Sequence, residues 1–178
     1  MSWEHELFAL FDDLEGQAAA AYEADREAEL ADRARTEYAS VTLASRLMAS
    51  RGEHVTIDLP SVGRVEGRLA RVADTWLLLS GRGQDWIVPL RWVTTVRGAS
   101  TRSVPEVAWS PVDRLGLRAA LRRLADAEAR CLIHLADGTR HEAYVERVGA
   151  DFLQARDATG AQVLMAYDAL VAVHSREA

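Results

Sequence analysis

An internal duplication constrains this chain more than any other feature. Val55–Leu79 lies over Cys131–Ala155 at a constant offset of 76 residues. Val55, Ile57 and Leu59 fall on Cys131, Ile133 and Leu135, and Arg64, Glu66 and Gly67 fall on Arg140, Glu142 and Ala143. Leu69, Arg71, Val72, Trp76 and Leu77 fall on Val145, Arg147, Val148, Phe152 and Leu153. After a one-residue insertion the match resumes, with Leu90, Val93 and Val96 over Tyr167, Leu170 and Val173. A single shift and a single insertion across about 42 positions is hard to obtain by chance, and self-similarity at fixed offset marks a copied structural unit.

Each copy alternates in the manner of β-strands. V-T-I-D-L and C-L-I-H-L put apolar side chains on one face and polar ones on the other. A turn follows at Ser61–Gly63 and at Asp137-Gly138, the latter a hairpin dipeptide. Three further strand-like stretches and a short closing one, W-V-T-T-V or A-L-V-A-V, complete each unit. Five short strands in about 45 residues suit a small barrel, which hides most of its sheet edges. Ile57 and Ile133 point inward, and Trp76 and Phe152, at matching positions, read as the plugs of the two cores. A helix precedes each unit. Leu117, Leu121 and Leu124 line one face, entered through Ser110-Pro111-Val112-Asp113 with a capping residue, a first-turn proline and a carboxylate three after the cap. Leu43 and Leu47 repeat that spacing before the first unit. The fold class is α+β: an acidic helical arm over 1–50, a first barrel over 51–98, a connector and helix over 99–129, and a second barrel over 130–178.

The arm has no proline and one glycine, Gly16. Trp3, Leu7, Leu10 and Leu14 follow a 4-3-4 spacing with Phe8 and Phe11 beside them, giving one apolar face. Beyond Gly16 the seam is mostly alanine, which buries little area. One long helix and two helices broken at Gly16 both fit, and the break is preferred. The first segment has the pattern of an amphipathic docking helix, with those six residues as anchors on an acidic background; the alternative is that they cover a core or a dimer seam.

Charge is uneven. Residues 1–50 carry eleven acidic and four basic side chains, whereas 51–178 carry sixteen and seventeen. The net charge of -6 gives no global attraction to nucleic acid. One cysteine excludes an intrachain disulfide and a cysteine-based zinc knuckle. Nothing resembles a leader peptide or a membrane span, so the chain is expected to be cytoplasmic.

R-C-L-I-H-L-A-D-G-T-R-H-E-A-Y-V-E-R-V-G-A-D-F-L resembles the first motif of Sm-like proteins, in which a strand ends at a D-G turn and a bent second strand leads to a third. The matching positions are Asp137, Gly138, Val145, Val148 and Phe152. The first copy keeps Gly67, Leu69 and Val72 but has P-S-V-G at the turn. I-V-P-L-R-W-V-T-T-V is similar to the closing strand pair of such barrels, and SH3-like barrels share much of the pattern. The resemblance covers 40–98 and 113–175. It implies edge-mediated ring building and, in many members, single-stranded RNA binding. The family's nucleotide pocket needs an asparagine that this chain lacks altogether. Asp151-Phe152-Leu153-Gln154 keeps a fragment of that turn, and Arg97-Gly98 falls later than the family's basic pair. No RNA-binding residue is carried over.

Other chemistry is thin. His134 and His141 straddle the second hairpin without further ligands and read as surface histidines; Cys131 reads as a small buried residue. No nucleophile–base–acid set is present, and no enzymatic activity, cofactor or metal is expected. Arg64, Arg68, Arg71, Arg82, Arg91 and Arg97 lie near Trp86 and Trp92 in sequence, a combination that can grip a single strand through phosphates and stacking. The expectation is therefore a non-enzymatic binding or adaptor protein that pairs with a protein partner or with itself. The alternative is a single-stranded RNA- or DNA-associated regulator built on the arginine-tryptophan set. A weaker third reading is small-ligand sensing in a cleft between the barrels.

Overall fold

The structure is a computed structural model that describes residues 3–81 and 83–176. The chain divides into two units, Met1–Val41 and Thr42–Ala178. The boundary therefore falls nine residues before the arm's expected end at 50.

The first unit is one helix, α1 (Trp3–Ala39), with no break at Gly16. A glycine inside a helix costs only about 1 kcal/mol against alanine, too little to interrupt a run of Ala, Glu, Arg and Leu. Gln17 donates to Asp13 at 2.9 Å, and Arg33 lies 3.9 Å from Glu29, one turn apart in each case. At 1.5 Å per residue the helix is about 55 Å long. Trp3, Leu7, Phe8, Leu10, Phe11 and Leu14 are all exposed.

The second unit is mixed α and β. Its elements in chain order are α2 (Leu43–Met48), β1 (His54–Leu59), β2 (Gly63–Val72), β3 (Trp76–Gly81), β4 (Gln84–Pro89) and β5 (Thr95–Arg97). They are followed by α3 (Leu117–Asp126), β6 (Arg130–Leu135), β7 (Arg140–Val148), β8 (Phe152–Asp157), β9 (Gln162–Ala166) and β10 (Leu170–Arg176). Thr42 caps α2 by accepting from the Ser45 amide at 3.1 Å. The Ser110–Asp113 cap closes a 3-10 turn, Pro111–Arg114, rather than the helix expected there; α3 begins at Leu117 behind Gly116. The Ser110 hydroxyl donates to Asp113 at 2.7 Å, and Arg51 reaches the same carboxylate at 3.0 Å.

The duplication holds down to single hydrogen-bonded pairs. Ile57 pairs with Val65 in the first copy, and Ile133 pairs with His141, 76 residues on, in the second. The β2–β3 ladder slips between Leu69 and Arg71, and the β7–β8 ladder slips between Val145 and Arg147 at the same repeat position. Such a bulge bends the strand and deepens its twist. Each closing strand lies antiparallel to the first strand of its own copy, Val96 opposite Ile57 and Val173 opposite Ile133.

The copies differ from two separately closed barrels in one respect. All ten strands form one antiparallel sheet, in the order β5-β1-β2-β3-β4-β10-β6-β7-β8-β9, and it is not closed. The outer edge of β4 is taken by β10 of the other copy, with Val173 opposite Ile87 and His174 opposite Trp86. Two cores form. The first gathers Ile57, Leu69, Leu77, Leu79 and Val88 with Leu47 of α2 and Val171 and Ala172 of β10. The second gathers Ile133, Val145, Leu153 and Met165 with Leu121 of α3 and Ala73, Trp76 and Ile87 of the first copy. Successive residues of a strand point to opposite faces, so β4 gives Val88 to the first core and Ile87 to the second, and β10 gives Ala172 to the first and Val173 to the second. Val171 joins the first core at the register shift between Leu170 and Ala172.

Candidate functional site

The seam β4–β10–β6 holds a cluster of rings. Trp86 stacks on His174 with centroids 4.2 Å apart, and His134 lies 5.4 Å from His174 and 5.7 Å from Trp86. His134 is 4% exposed, so the expected surface histidine is a buried one. Its parity was outward for an isolated second barrel, but β10 and Trp86 cover that face. Neither ring nitrogen of His134 has a hydrogen-bond partner among the described residues. Burial first, then the charges of His174 and Arg140, push its pKa down from 6.5 to about 4. The imidazole is therefore neutral at pH 7.

Both core plugs need correction. Trp76 is buried and donates from Nε1 to the Leu115 carbonyl at 2.7 Å, but it belongs to the second core, not that of its own copy. Phe152 is 37% exposed and lies over Gly149; Leu153 beside it is the buried residue. Ile57 and Ile133 are fully buried in the first and second cores. Cys131 is buried as well, and burial pushes its thiol up to about 11, which removes nucleophilic character.

The arginine–tryptophan set is dispersed. Arg64 and Arg97 both pair with Asp58, at 3.2 and 2.6 Å, and Arg91 pairs with Asp168 at 2.8 Å. The Thr95 hydroxyl, then Arg97 and Arg64, hold the Asp58 carboxyl down at about 2. Trp86 faces the two histidines and Trp92 packs against the first core, so neither ring offers a stacking platform beside the arginines. Arg68 is exposed on β2, and Arg82 lies outside the described residues.

Two clefts flank α3. One, of about 660 Å³, has Trp76, Leu78, Ile87 and Leu124 among its apolar walls and Arg71, Asp85 and Arg123 for charge. The other, of about 670 Å³, is lined by Arg91, Arg118, Arg122 and Tyr167. Sequence reasoning passed over Arg118, Arg122 and Arg123, although L-R-A-A-L-R-R-L places 118 and 122 one helical turn apart. Among the described residues there is no group of three or more His, Cys, Asp or Glu able to hold a metal ion. No described helix is long and apolar enough to cross a membrane. No family model matches this sequence, and a comparison with curated proteins finds no match.

Proposed function

We propose that the protein is a non-enzymatic intracellular binding module, an adaptor or assembly factor that associates through its sheet edges and its acidic helix. The observation that carries this reading is the seam: the two copies join strand to strand through β4 and β10, an association that needs only backbone groups and alternate side chains. The reading treats each copy as an Sm-like or SH3-like unit. The shared 5-1-2-3-4 strand order and the bulge that bends the second strand of each copy support it. The exposed Trp3, Leu7, Phe8, Leu10, Phe11 and Leu14 give the start of α1 the composition of a docking segment.

Pull-down with the full chain and with a chain beginning at Thr42 tests the reading. A partner held by the first and lost by the second assigns selection to the helix, and absence of any association in either form refutes the reading.

The α3 arginines favour a second reading, a single-stranded nucleic-acid regulator. Arg118, Arg122 and Arg123 are exposed, and each lines one of the two clefts. Titration with single-stranded oligonucleotides over a salt series separates the two. Phosphate contacts lower log K by about 0.7 per contact for each tenfold rise in salt, and absence of binding at low salt eliminates this reading.

A further inference from the structure

The two ends of the ten-stranded sheet are unlike. At one end β5 is three residues long, Thr95–Arg97, and the chain turns at Gly98 with φ of +81°. The Ser100 amide is then tied to Ser50 Oγ at 2.8 Å. The stretch of β10 that pairs with β4 is Val173–Arg176, and its repeat equivalents are residues 96–99. Only the first two of these are strand, so β5 offers too short an edge for a comparable ladder.

At the other end β9 has β8 as its one strand neighbour among the described residues. Its sequence Q-V-L-M-A has no charge and no proline, whereas its counterpart β4, Q-D-W-I-V-P, has both. Charges and prolines are the usual guards of a sheet edge. Hydrogen bonds on either side of the strand fix its orientation: Asp157 N donates to the Ala161 carbonyl, and Tyr167 N donates to the Asp151 carbonyl. By the alternation of an antiparallel ladder, residues 161, 163, 165 and 167 bond toward β8. The backbone groups of Gln162, Leu164 and Ala166 then point away from the sheet. Leu164 occupies the repeat position of Ile87. Ile87, opposite Val173 of β10, is 6% exposed, whereas Leu164 is 67% exposed.

We propose that β9 pairs antiparallel with β9 of a second copy of this chain, about a two-fold axis at Leu164. This rests on the binding-module reading and names one partner within it. With Leu164 opposite its own equivalent, Gln162 faces Ala166 on both sides of the axis. The outward groups of these three residues then make about six backbone hydrogen bonds. The exposed Leu164 side chains meet across the axis at the spacing of a cross-strand pair. Met165 and Val163, which pack with the second core, lie opposite each other across the same axis and carry that core's face into the partner. The nearest charge beyond the strand, Asp168, is engaged by Arg91. The interface is self-complementary and closes at two copies, because the β5 ends of both chains face away from it.

Sedimentation and light scattering of the full chain over a concentration series test this, with hydrogen exchange read at Leu164 and Ala166. The wild type is expected to shift from one to two chains with concentration, and both amides should gain protection in step. Leu164→Pro removes the outward donor without touching the β8 ladder, and Leu164→Lys places two like charges on the axis. Both variants should stay monomeric, with thermal unfolding of the body close to wild type. A wild type that remains monomeric, or a dimer that survives Leu164→Pro, overturns the proposal. A monomeric wild type that still captures a partner through residues 1–41 refutes the edge pairing alone. A chain that neither self-associates nor captures a partner refutes the binding-module reading with it.

Discussion

Replacing His134 with leucine should stabilise the protein at neutral pH and remove much of its acid sensitivity. The side chain is 4% exposed, and neither nitrogen has a hydrogen-bond partner among the described residues. A buried polar group in that state costs about 1–3 kcal/mol. Leucine is of comparable size and carries no polar atom, so a gain of about 1 kcal/mol at pH 7 is expected. Acid adds a larger effect. The folded-state pKa, about 4, lies below the ordinary 6.5, so the unfolded chain takes up the proton first as pH falls. The stability tied to the neutral ring is complete above about pH 6.5 and is lost progressively down to about pH 4. At 1.36 kcal/mol per unit the full loss is about 3 kcal/mol, most of it gone by pH 4.5. The proton would enter beside Arg140, its cross-strand neighbour, and His174. Urea unfolding followed by tryptophan fluorescence at pH 7 and pH 4.5 measures this directly. The wild type should lose about 2–3 kcal/mol more than His134→Leu between the two conditions. Equal losses in the two proteins, or a variant clearly less stable at pH 7, would refute the account.

Trp76→Ala should cost about 3–5 kcal/mol in thermal or chemical unfolding, a cavity-scale loss, while Phe152→Ala at the matching repeat position should cost less than about 1 kcal/mol because the ring is partly in water already. Asp58 ties Thr95, Arg97 and Arg64 together, and its pKa is held down at about 2 from 3.8. The support it gives β5 is therefore present above about pH 3.8 and fades toward pH 2. Protection of the Val96 amide, relative to its intrinsic exchange rate at each pH, should fall over that window in the wild type, and at neutral pH in Asp58→Ala. Gly16→Ala should raise helical ellipticity at 222 nm, in line with about 1 kcal/mol of added helix propensity; unchanged ellipticity would show that the position does not limit α1.

The strand order and register of the copied unit are legible in the sequence, though not its joining into one open sheet; the offset of 76 also carries the bulges at Leu69–Arg71 and Val145–Arg147. What the alignment hid was that equal positions have unequal neighbours. Trp76 lies on the face of β3 that joins the second core, while Phe152 lies on β8, next to the last strand of the sheet. Ile87 and Leu164 differ in burial for the same reason. One signal was present in the letters. L-V-A-V at 170–173 is continuously apolar, the mark of a strand covered on both faces, whereas W-V-T-T-V in the first copy is broken by threonines. All four residues of 170–173 are completely buried. Reading that contrast would have placed β10 at the centre and His134 under cover. At Gly16 the helix continues because the propensity of the whole run outweighs one unfavourable residue, even where the apolar seam is weak.

The position of β10 has a consequence for biosynthesis. It leaves the ribosome after the nine other strands of the sheet, yet Val171 and Ala172 fill the first core and its backbone completes the ladder on β4. The first copy consequently waits, with one flank open, until translation has passed residue 173. Both cores of the body are therefore complete only when both copies are present. Ancestry gave this body two modules, but its folding unit is one.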